Sequence, residues 1–303
     1  MNQIIVVGSL NMDLTIQSER IPSRGETIHG SDFLMNEGGK GGNQAVAAAK
    51  SGVPTTFIGS VGDDVFGTKI RHTLESYGIN TSQLQTSRDT PTGIAMIIRS
   101  GGDNRIILNS GANFCIDPAV MKQSIAGTAA RGDILITQFE NEPDTVFAAL
   151  QTARELGMYT ILNPAPAKAF PMDKYPLIDL IIVNQSECET LTGIYPDNQE
   201  DCRRALAVFK ERGTSEAIIT LGSQGSTALQ DNEFIFIPAY HVKATDTTAA
   251  GDSFIGALAS RLARGESMAA SMEYATKAAA LTVTRKGAQS SIPYIKDIES
   301  FTI

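Results

Sequence analysis

A short run of small residues that ends in an aspartate carries the clearest chemical signal. The run reads Asp246-Thr247-Thr248-Ala249-Ala250-Gly251-Asp252. Apolar residues continue beyond it at helix spacing, at Phe254, Leu258 and Leu262, so the small residues lie at a helix start. Unpaired N–H groups and the dipole at such a start favour an anion, which small side chains allow to approach. Asp252 beside that site suits proton removal next to a developing negative charge. The alternative is an N-capping aspartate whose small neighbours pack against a sheet.

A glycine-rich stretch is the second candidate for ligand binding. It reads Glu37-Gly38-Gly39-Lys40-Gly41-Gly42-Asn43 and precedes an alanine-rich helix predicted over 44–51. Four glycines predict a flexible loop that lets a ligand approach the backbone. A Walker A loop would need glycine at Leu34 and Ser or Thr at Gly41, and no GxGxxG follows the first strand, so a dinucleotide site is not indicated. The alternative is a tight connection between a strand and a helix.

Polar residues recur directly after predicted strands. Asn11 and Asp13 follow an apolar strand over 3–8, and an aspartate is a good acceptor for sugar hydroxyls. Their alternative is an Asx turn. Later strands are followed by Glu140, Asn163, Asn184, Glu187 and Thr220. Taken singly, each of these residues is more often a helix cap or a turn residue than a ligand-binding residue. Their common position at strand ends nevertheless favours a binding site.

The elements that must position these residues alternate between strands and helices. Strands are predicted over 55–61, 134–138, 159–162, 180–183 and 217–220, and helices over 65–77, 145–156, 202–212 and 272–284. This order predicts an α/β fold with a mostly parallel central sheet and helices on both faces. Further strands at 14–17 and 27–34 should pair with a hairpin of 92–99 and 104–109, because a two-stranded ribbon is not stable alone. Both hairpin faces are apolar, so we expect one to cover a site and the other to meet a partner chain.

Composition excludes several classes of protein. The 303 residues are 42% hydrophobic and 19% charged with a net charge of −8, typical of a soluble α/β enzyme without a nucleic-acid partner. Apolar runs are too short for a membrane span, and the N-terminal run lacks the basic start of a signal peptide. Three widely spaced cysteines predict no disulfide framework and favour the cytoplasm. We find no repeat or linker and therefore predict a single domain over 1–303.

The remaining chemistry favours phosphoryl transfer to a hydroxyl group. The three histidines lack metal-ligand spacing, and neither a GxSxG elbow nor a cysteine with a base partner is present. Phosphoryl transfer needs positioning, charge neutralisation and an acceptor for the alcohol proton, not a covalent nucleophile. An ordinary aspartate is ionised at neutral pH and can be that acceptor.

Several segments of the sequence resemble those of a known enzyme family. The segment 246–256, together with 38–45, resembles the two signatures of the ribokinase-like (PfkB) carbohydrate kinases. Further matches lie at Asn11-Met12-Asp13, Asn184-Gln185-Ser186-Glu187, Thr220-Leu221-Gly222 and Thr284-Arg285-Lys286-Gly287-Ala288-Gln289. They run in order over nearly the whole chain.

The resemblance implies a role for each candidate residue. Asp252 would be the catalytic base, with an anion hole from Ala249, Ala250 and Gly251. The sugar would be held by Asn11, Asp13, Gly39, Lys40, Asn43, Glu140 and Asp252. ATP would be bound by Asn184, Thr220, Gly222, Gly225, Gly251 and Thr276, and Glu187 would act on Mg²⁺ through water. A monovalent cation such as K⁺ would be bound by Asp246, Thr248, Thr282, Arg285, Gly287 and Ser291. A β lid of about 14–34 and 92–110 would close over the sugar and form a homodimer contact.

The phosphoryl acceptor that the resemblance implies first is the primary 5-hydroxyl of D-ribose. Deoxyribose, another pentose or hexose, and a nucleoside remain open, as does a sugar- or nucleotide-binding regulator without catalysis. Two departures from the family pattern bear on specificity. Thr276 stands where relatives often place Asn or His beside adenine, and Glu37 and Gly42 replace an apolar residue and Ala around the sugar loop.

Overall fold

Two β-sheets organise the protein, which is described here by a computed structural model covering residues 2–101, 103–230 and 233–302. The predicted hairpin turn over 100–103 includes Gly102, which lies outside the described residues. In the described residues the strands are β1 (Ile4–Val7), β2 (Asn11–Gln17), β3 (Ser31–Gly38), β4 (Thr55–Gly62), β5 (Leu84–Ser87), β6 (Gly93–Ser100), β7 (Asp103–Asn109), β8 (Ile134–Gln138), β9 (Tyr159–Asn163), β10 (Leu180–Asn184), β11 (Glu216–Thr220), β12 (Gly225–Gln230) and β13 (Glu233–Pro238).

Helices connect most of these strands. They are α1 (Lys40–Lys50), α2 (Val65–Ser76), α3 (Pro118–Thr128), α4 (Pro143–Glu155), α5 (Gln185–Thr192), α6 (Gln199–Glu211), α7 (Ala250–Leu262), α8 (Met268–Val283) and α9 (Ile295–Glu299). Short 3₁₀ helices cover Gly111–Cys115, Met172–Leu177 and Gly222–Gln224. Of the helices in the described ranges, none has the length and apolar character needed to span a bilayer.

The large sheet has the strand order β13-β12-β11-β10-β9-β8-β1-β4-β5. Strands β5 to β11 in this order run parallel, and β12 and β13 add an antiparallel hairpin at one edge. Side chains of a strand alternate between the two faces. Ile4 and Val6 therefore join the core beneath α1, α7 and α8, while Ile5 and Val7 join the core beneath α3 to α6. The predicted parallel sheet with helices on both faces is confirmed.

The small sheet has the order β3-β2-β6-β7, with β2 and β6 parallel and the outer pairs antiparallel. Its bounds differ from the prediction. β2 begins at Asn11 and β3 runs on to Gly38, while residues 21–30 form no strand. The C-terminal end of β3 was not predicted, because the polar residues from Asn36 to Gly38 lack the apolar alternation that marks a strand. The small sheet therefore delivers Asn11, Asp13 and Gly38 directly to the end of the large sheet.

Helix α1 begins four residues before the predicted start. Gly39 has a φ of +87° and forms the N-cap, so Gly41 and Gly42 belong to the first helical turn and not to a flexible loop. The reason is close packing, since a Cβ atom at Gly41 would lie 2.5 Å from the Ser9 nitrogen. Because glycine has no side chain, the start of α1 can pack against the segment that follows β1.

Candidate active site

The N-terminus of α7 presents free backbone donors beside Asp252. Ala249, the N-cap, has a left-handed φ of +61° and offers no side-chain cap. Across the described residues no protein group accepts the N–H groups of Gly251 and Asp252. A Cβ atom at Gly251 would also meet no atom within 4 Å, so the space in front of it is open. The sequence predicted an anion site here, and the geometry suits one.

The Asp252 carboxylate is buried and held by two side-chain amides. Oδ2 accepts a hydrogen bond from Asn43 Nδ2 at 2.9 Å, and Oδ1 accepts one from Gln44 Nε2 at 3.0 Å. Asn43 was among the predicted site residues, but Gln44 was not. In the sequence Gln44 is only one polar residue at the start of an alanine-rich helix, and its partner lies 208 positions away.

On the small-sheet side Asp13 lies close to other acidic groups, and we call the space around Asp13, Glu140 and Asp252 the polar pocket. Burial raises the pKa of Asp13 to about 7, and the charges of Glu140 and Asp252 add to the effect. Glu140 Oε2 accepts hydrogen bonds from the Lys40 backbone N–H at 3.0 Å and from the Ser9 hydroxyl at 2.5 Å. Glu140 thus binds the first N–H of α1, where the helix dipole favours a carboxylate. The pocket offers acceptors for a molecule rich in hydroxyl groups.

Asn11 lies at the same pocket and is oriented by Asn113, which the sequence analysis missed. Asn113 Nδ2 donates to Asn11 Oδ1 at 2.8 Å, so the Asn11 side chain turns its NH₂ group elsewhere. Asn113 is also bonded to both the N–H and the C=O of Leu10. It lies in the short helix after β7, where no apolar pattern or glycine loop pointed to it. Gly39 packs closely against the backbone of Asn11, because a Cβ atom there would lie 2.9 Å from the Asn11 nitrogen.

A second pocket, of about 250 Å³, lies on the other side of Asp252. Its lining includes Lys40, Asn184, Glu187, Thr220 and the first residues of α7. Lys40, predicted to hold the sugar, thus lies among the residues predicted to bind phosphate. Burial alone would lower the pKa of Lys40, but nearby carboxylates raise it above its ordinary value. Those carboxylates belong to Asp252, Glu140 and Glu187. A charged ammonium group at this pocket can neutralise a phosphoryl group.

Asn184 and Glu187 form a capping box at the start of α5. Asn184 Oδ1 accepts the Glu187 N–H at 2.8 Å, and Glu187 Oε2 accepts the Asn184 N–H at 2.9 Å. Burial raises the pKa of Glu187, although its bond from Asn184 and the charge of Lys40 oppose this. Asn184 Oδ1 also accepts the Ser186 hydroxyl at 2.8 Å, so the groups that remain for a ligand are one Glu187 carboxylate oxygen and the Asn184 NH₂ group. The carboxylate oxygen fits Mg²⁺, which keeps several waters and takes one or two carboxylates plus phosphate oxygens.

A cleft of about 350 Å³ continues from this pocket. Thr220, Gly222 and Gly225 form one side, and Gly251 marks its inner end. The opposite wall is apolar and comes from Phe254 and from small residues of α8, namely Thr276, Ala279, Ala280 and Val283. The Thr276 hydroxyl donates to the Met272 carbonyl at 2.8 Å, so it is already used within its helix. A flat apolar ring with a phosphate tail matches the shape and polarity of this cleft.

The predicted cation residues lie on the loop before α7, at the end of α8 and on the segment that follows α8. Asp246 Oδ1 accepts the N–H and hydroxyl of Thr248 at 3.0 and 2.6 Å, and Oδ2 accepts the Gly287 N–H at 3.3 Å. Burial opposes ionisation of Asp246, but these bonds and the Arg99 guanidinium lower its pKa below the ordinary value. The set is rich in oxygen, which suits a hard cation. Among the described residues no cluster of three or more His, Cys, Asp or Glu is arranged to hold a metal ion.

The other members of that set contribute backbone or hydroxyl oxygens. The Thr282 hydroxyl donates to the Ala278 carbonyl and lies 2.8 Å from Ser253 Oγ. The Arg285 guanidinium is turned towards Asp297 at 3.1 Å, which leaves its backbone carbonyl as the only group suited to a cation. The Ser291 hydroxyl donates to the Ala288 carbonyl at 2.7 Å.

The two departures around the sugar loop have different structural consequences. Glu37 faces α2, where it pairs with Lys69 at 3.2 Å and accepts a bond from Thr73, so it does not enter the polar pocket. Gly42 lies under Leu10 and Gln289, and a Cβ atom there would be 2.9 Å from each. An alanine at this position would press on the loop that carries Gln289.

Comparison with known proteins agrees with this geometry. The family model described as "pfkB family carbohydrate kinase" matches residues 1–295. A ribokinase of Haemophilus influenzae is 37% identical over 291 residues, covering 96% of this chain and 95% of the relative. A deoxyribokinase of Salmonella typhi is 34% identical over 300 residues, covering 98% of each chain.

A solved structure matches the whole fold. The structure of Arabidopsis thaliana ribokinase complexed with ribose and ATP superposes with a TM-score of 0.90, at 30% identity and with full coverage of both chains. The two signature segments predicted from the sequence meet at Asp252 in three dimensions, and the family model extends over nearly all of the sequence. The chain belongs to the pfkB family of carbohydrate kinases.

Proposed function

We propose that this protein is an ATP-dependent kinase that phosphorylates the primary 5-hydroxyl of D-ribose and gives ribose 5-phosphate. One observation carries the proposal. The buried Asp252 carboxylate lies at the free N-terminus of α7, close to Asp13 and at the lining of a pocket that continues into a cleft suited to a nucleotide. The full-length similarity to ribokinases, one of them solved with ribose and ATP, supports ribose as the acceptor.

The chemistry follows from this arrangement. Asp252 accepts the proton of the 5-hydroxyl while the oxygen forms a bond to the γ-phosphorus, and the bond to the β-phosphate oxygen breaks to release ADP. Negative charge on the transferring group meets the N–H groups of Gly251 and Asp252 and the Lys40 ammonium. Asn11, Asp13, Asn43 and Glu140 orient the sugar. Closing of the small sheet over the sugar as a lid excludes water from the transfer.

Mg²⁺ accompanies ATP in this proposal. When bound, it neutralises charge on the phosphates and orients them for transfer. Glu187 and Asn184 hold the ion through its waters, and the capping box keeps both side chains at the pocket.

Replacing the base tests the reaction. Asp252→Asn should lower ADP formation with ribose by at least about a thousandfold, while ribose and ATP still bind in calorimetry. Asp173→Asn, at an exposed position, is the matched control and should retain the normal rate. A rate near normal in Asp252→Asn would exclude the proposed base.

Deoxyribose is the second candidate acceptor, favoured by the similarity to the Salmonella typhi deoxyribokinase over 98% of both chains. Ribose presents one hydroxyl more than 2-deoxyribose to the acceptors around Asp13. A site built to bond that hydroxyl discriminates strongly against the analogue that lacks it. The ratio of kcat/KM for the two sugars, measured with one enzyme preparation, decides between them.

A monovalent cation such as K⁺ is the further cofactor that we propose. Its support is the junction of the Asp246 loop with the segment 282–291, where a carboxylate lies among carbonyl and hydroxyl oxygens directly behind the N-terminus of α7. Comparing rates in K⁺ with rates in a bulky organic cation tests this proposal.

The outer face of the small sheet supports a homodimer. Met35, Leu14, Met96 and Ile107 lie in one row across four strands, and Met35, Met96 and Ile107 are exposed by 48%, 50% and 67%. Such an apolar face favours a second copy of the same face. Sedimentation at micromolar concentration should give a dimer, and Met96→Glu should give a monomer.

We assign the enzyme to the cytoplasm as part of the same proposal. Cys115, Cys188 and Cys202 are all free thiols, which suits a reducing compartment that also supplies ATP.

A further inference from the structure

A chain of buried side-chain amides lies behind Asp252 and takes no part in the chemistry above. Gln44 Nε2 donates to Asp252 Oδ1 at 3.0 Å and to Asn163 Oδ1 at 3.2 Å, and Gln138 Nε2 donates to Gln44 Oε1 at 2.7 Å. Gln44 and Gln138 are 0% exposed and Asn163 is 6% exposed. The chain therefore joins the base to β8 and β9 of the large sheet, and although Asn163 also lines the pocket of about 250 Å³, Gln44 and Gln138 are fully buried behind Asp252.

The orientation of the Gln44 amide is fixed from both ends. Asn163 Nδ2 donates to the Ile182 carbonyl at 3.0 Å, so Asn163 turns its oxygen towards Gln44. Gln138 meanwhile donates to Gln44 and so requires an oxygen there. A flipped Gln44 amide would set its oxygen against two other oxygens and leave a buried donor without an acceptor, which is costly. The NH₂ group of Gln44 must therefore face Asp252.

Helix packing sets the distance between Gln44 and the base. A Cβ atom at Gly256 would lie 2.3 Å from the Gln44 carbonyl and 2.5 Å from Ala47 Cβ, so the glycine lets α7 touch α1. Gln44 begins the second turn of α1, and Asp252 lies in the first turn of α7. The amide chain is thus a built feature of the helix contact.

We propose that Gln44, supported by Gln138 and Asn163, is a positioning residue for the general base Asp252. The proposal rests on the kinase reaction proposed above. Asn43 holds one carboxylate oxygen at the sugar side, and Gln44 holds the other from behind, so the carboxylate plane is fixed and its free lone pairs face the reacting hydroxyl. Gln44 acts only through Asp252 and touches neither substrate.

Charged groups on neighbouring elements also influence the base. They are Lys40 on α1, Asp13 on β2, Glu140 after β8 and Glu187 on α5. None of these contacts Gln44 in the described hydrogen bonds and ion pairs. Because the pKa of Asp13 is raised to about 7, the parent enzyme and its variants are compared at a single pH.

The test compares Gln44→Met and Gln44→Glu with the parent enzyme at saturating ribose and ATP. Loss of a hydrogen bond to a charged group should lower kcat at pH 7 by about tenfold to a hundredfold. Gln44→Glu should lower it further, because it adds a like charge. The KM for ATP should stay within about twofold, since Gln44 does not face the nucleotide.

Gln85→Met is the matched control, as it removes a partly buried amide from the edge strand β5 and should leave kcat unchanged. Gln138→Met leaves the bond to Asp252 in place but frees its orientation, and should give a smaller loss of kcat; it is also the variant to use if Gln44→Met does not fold. A normal kcat in a folded Gln44→Met or Gln138→Met enzyme would overturn this inference while leaving the kinase proposal intact. Failure of the kinase proposal would instead appear as an active Asp252→Asn enzyme.

Discussion

Arg99 on β6 of the small sheet donates a hydrogen bond from Nη2 to Asp246 Oδ2 at 3.2 Å. The pair joins the small sheet to the loop that leads into α7, and it places a guanidinium at the carboxylate proposed to bind a monovalent cation. The Asp246 side chain is only 9% exposed, whereas that of Arg99 is 32% exposed. The proposed cation and Arg99 would therefore compete for the same carboxylate oxygen.

Arg99→Met should reduce the K⁺ concentration required for half-maximal activity. The arginine is partly exposed, so the change should be about two- to fivefold, the range expected for a solvent-screened ion pair. Rate measurements over a K⁺ series give the value. Arg105→Met, on the neighbouring strand β7, removes an exposed arginine and should leave the requirement unchanged. An unaltered or higher K⁺ requirement in Arg99→Met would contradict the competition.

The affinity for ribose should depend on the titration of Asp13. Its pKa is raised to about 7 by burial and by the charges of Glu140 and Asp252, so it is neutral below that pH and ionised above it. An ionised carboxylate accepts more strongly from sugar hydroxyls. The KM for ribose should therefore fall as the pH rises from 6 to 8, which steady-state kinetics at fixed ATP can measure.

Thermal unfolding of the ligand-free protein checks the same titration. A carboxyl group with a raised folded-state pKa stabilises the fold fully below its ordinary pKa, and this contribution disappears as the pH rises through about 7. The melting temperature of Asp13→Asn relative to the parent protein should therefore rise between pH 5 and pH 8. An equal difference at both pH values would mean that Asp13 does not titrate in this window.

Gly256→Ala should separate α7 from α1. Its Cβ atom would lie 2.3 Å from the backbone oxygen of Gln44, so we expect a loss of about 1–3 kcal/mol in the free energy of unfolding, together with a lower kcat. Gly127→Ala in α3 is the control, because a Cβ atom there meets nothing within 4 Å. The control should gain about 0.4–1 kcal/mol. Urea unfolding measures both, and equal signs would refute the packing argument.

Lys50 should support the loop that carries the proposed cation ligands. Its ammonium group donates to the carbonyls of Gln289 and Ile292 at 2.9 Å and lies over the rings of Tyr77 and Tyr294. Lys50→Met should lower the free energy of unfolding by about 1.5–3 kcal/mol, the contribution of a hydrogen bond from a charged donor. It should also raise the K⁺ requirement, because the segment between the two carbonyls loosens.

Lys277→Met is the matched control for that loop, since Lys277 pairs with Glu273 within α8. It should change neither the stability nor the K⁺ requirement by a measurable amount. A Lys50→Met enzyme with normal K⁺ dependence would contradict this prediction, because it would mean that the support of the loop by Lys50 does not affect cation binding.

The sequence predicted those parts of the protein that depend on local pattern. The apolar run before Gly8 predicted β1, and the small residues before Asp252 predicted the start of α7; both lie where expected. The family and the α/β fold, both predicted from the signature segments and the alternation of strands and helices, are confirmed. The residue roles and the single-domain assignment remain predictions.

The features that sequence reasoning missed depend on contacts between distant segments. The early start of α1 follows from the packing of Gly41 against Ser9, and nothing in residues 37–43 alone distinguishes that helical turn from a loop. Asn113 and Gln44 are ordinary polar residues until folding brings them to Asn11 and Asp252, 102 and 208 positions away. Their roles are properties of the tertiary structure.

The amide contacts of Asp252 also have a consequence for biosynthesis. The groups that hold the base come from positions 43, 44, 138 and 163, whereas the base itself is at position 252. During translation the buried amides therefore lack their anionic partner until α7 leaves the ribosome. Residues of α7 and α8 also form much of the core on that face of the large sheet. A chain that stops before α7 therefore lacks the proton acceptor together with one side of its core, so the base and the core that supports it are completed in the same late step of synthesis.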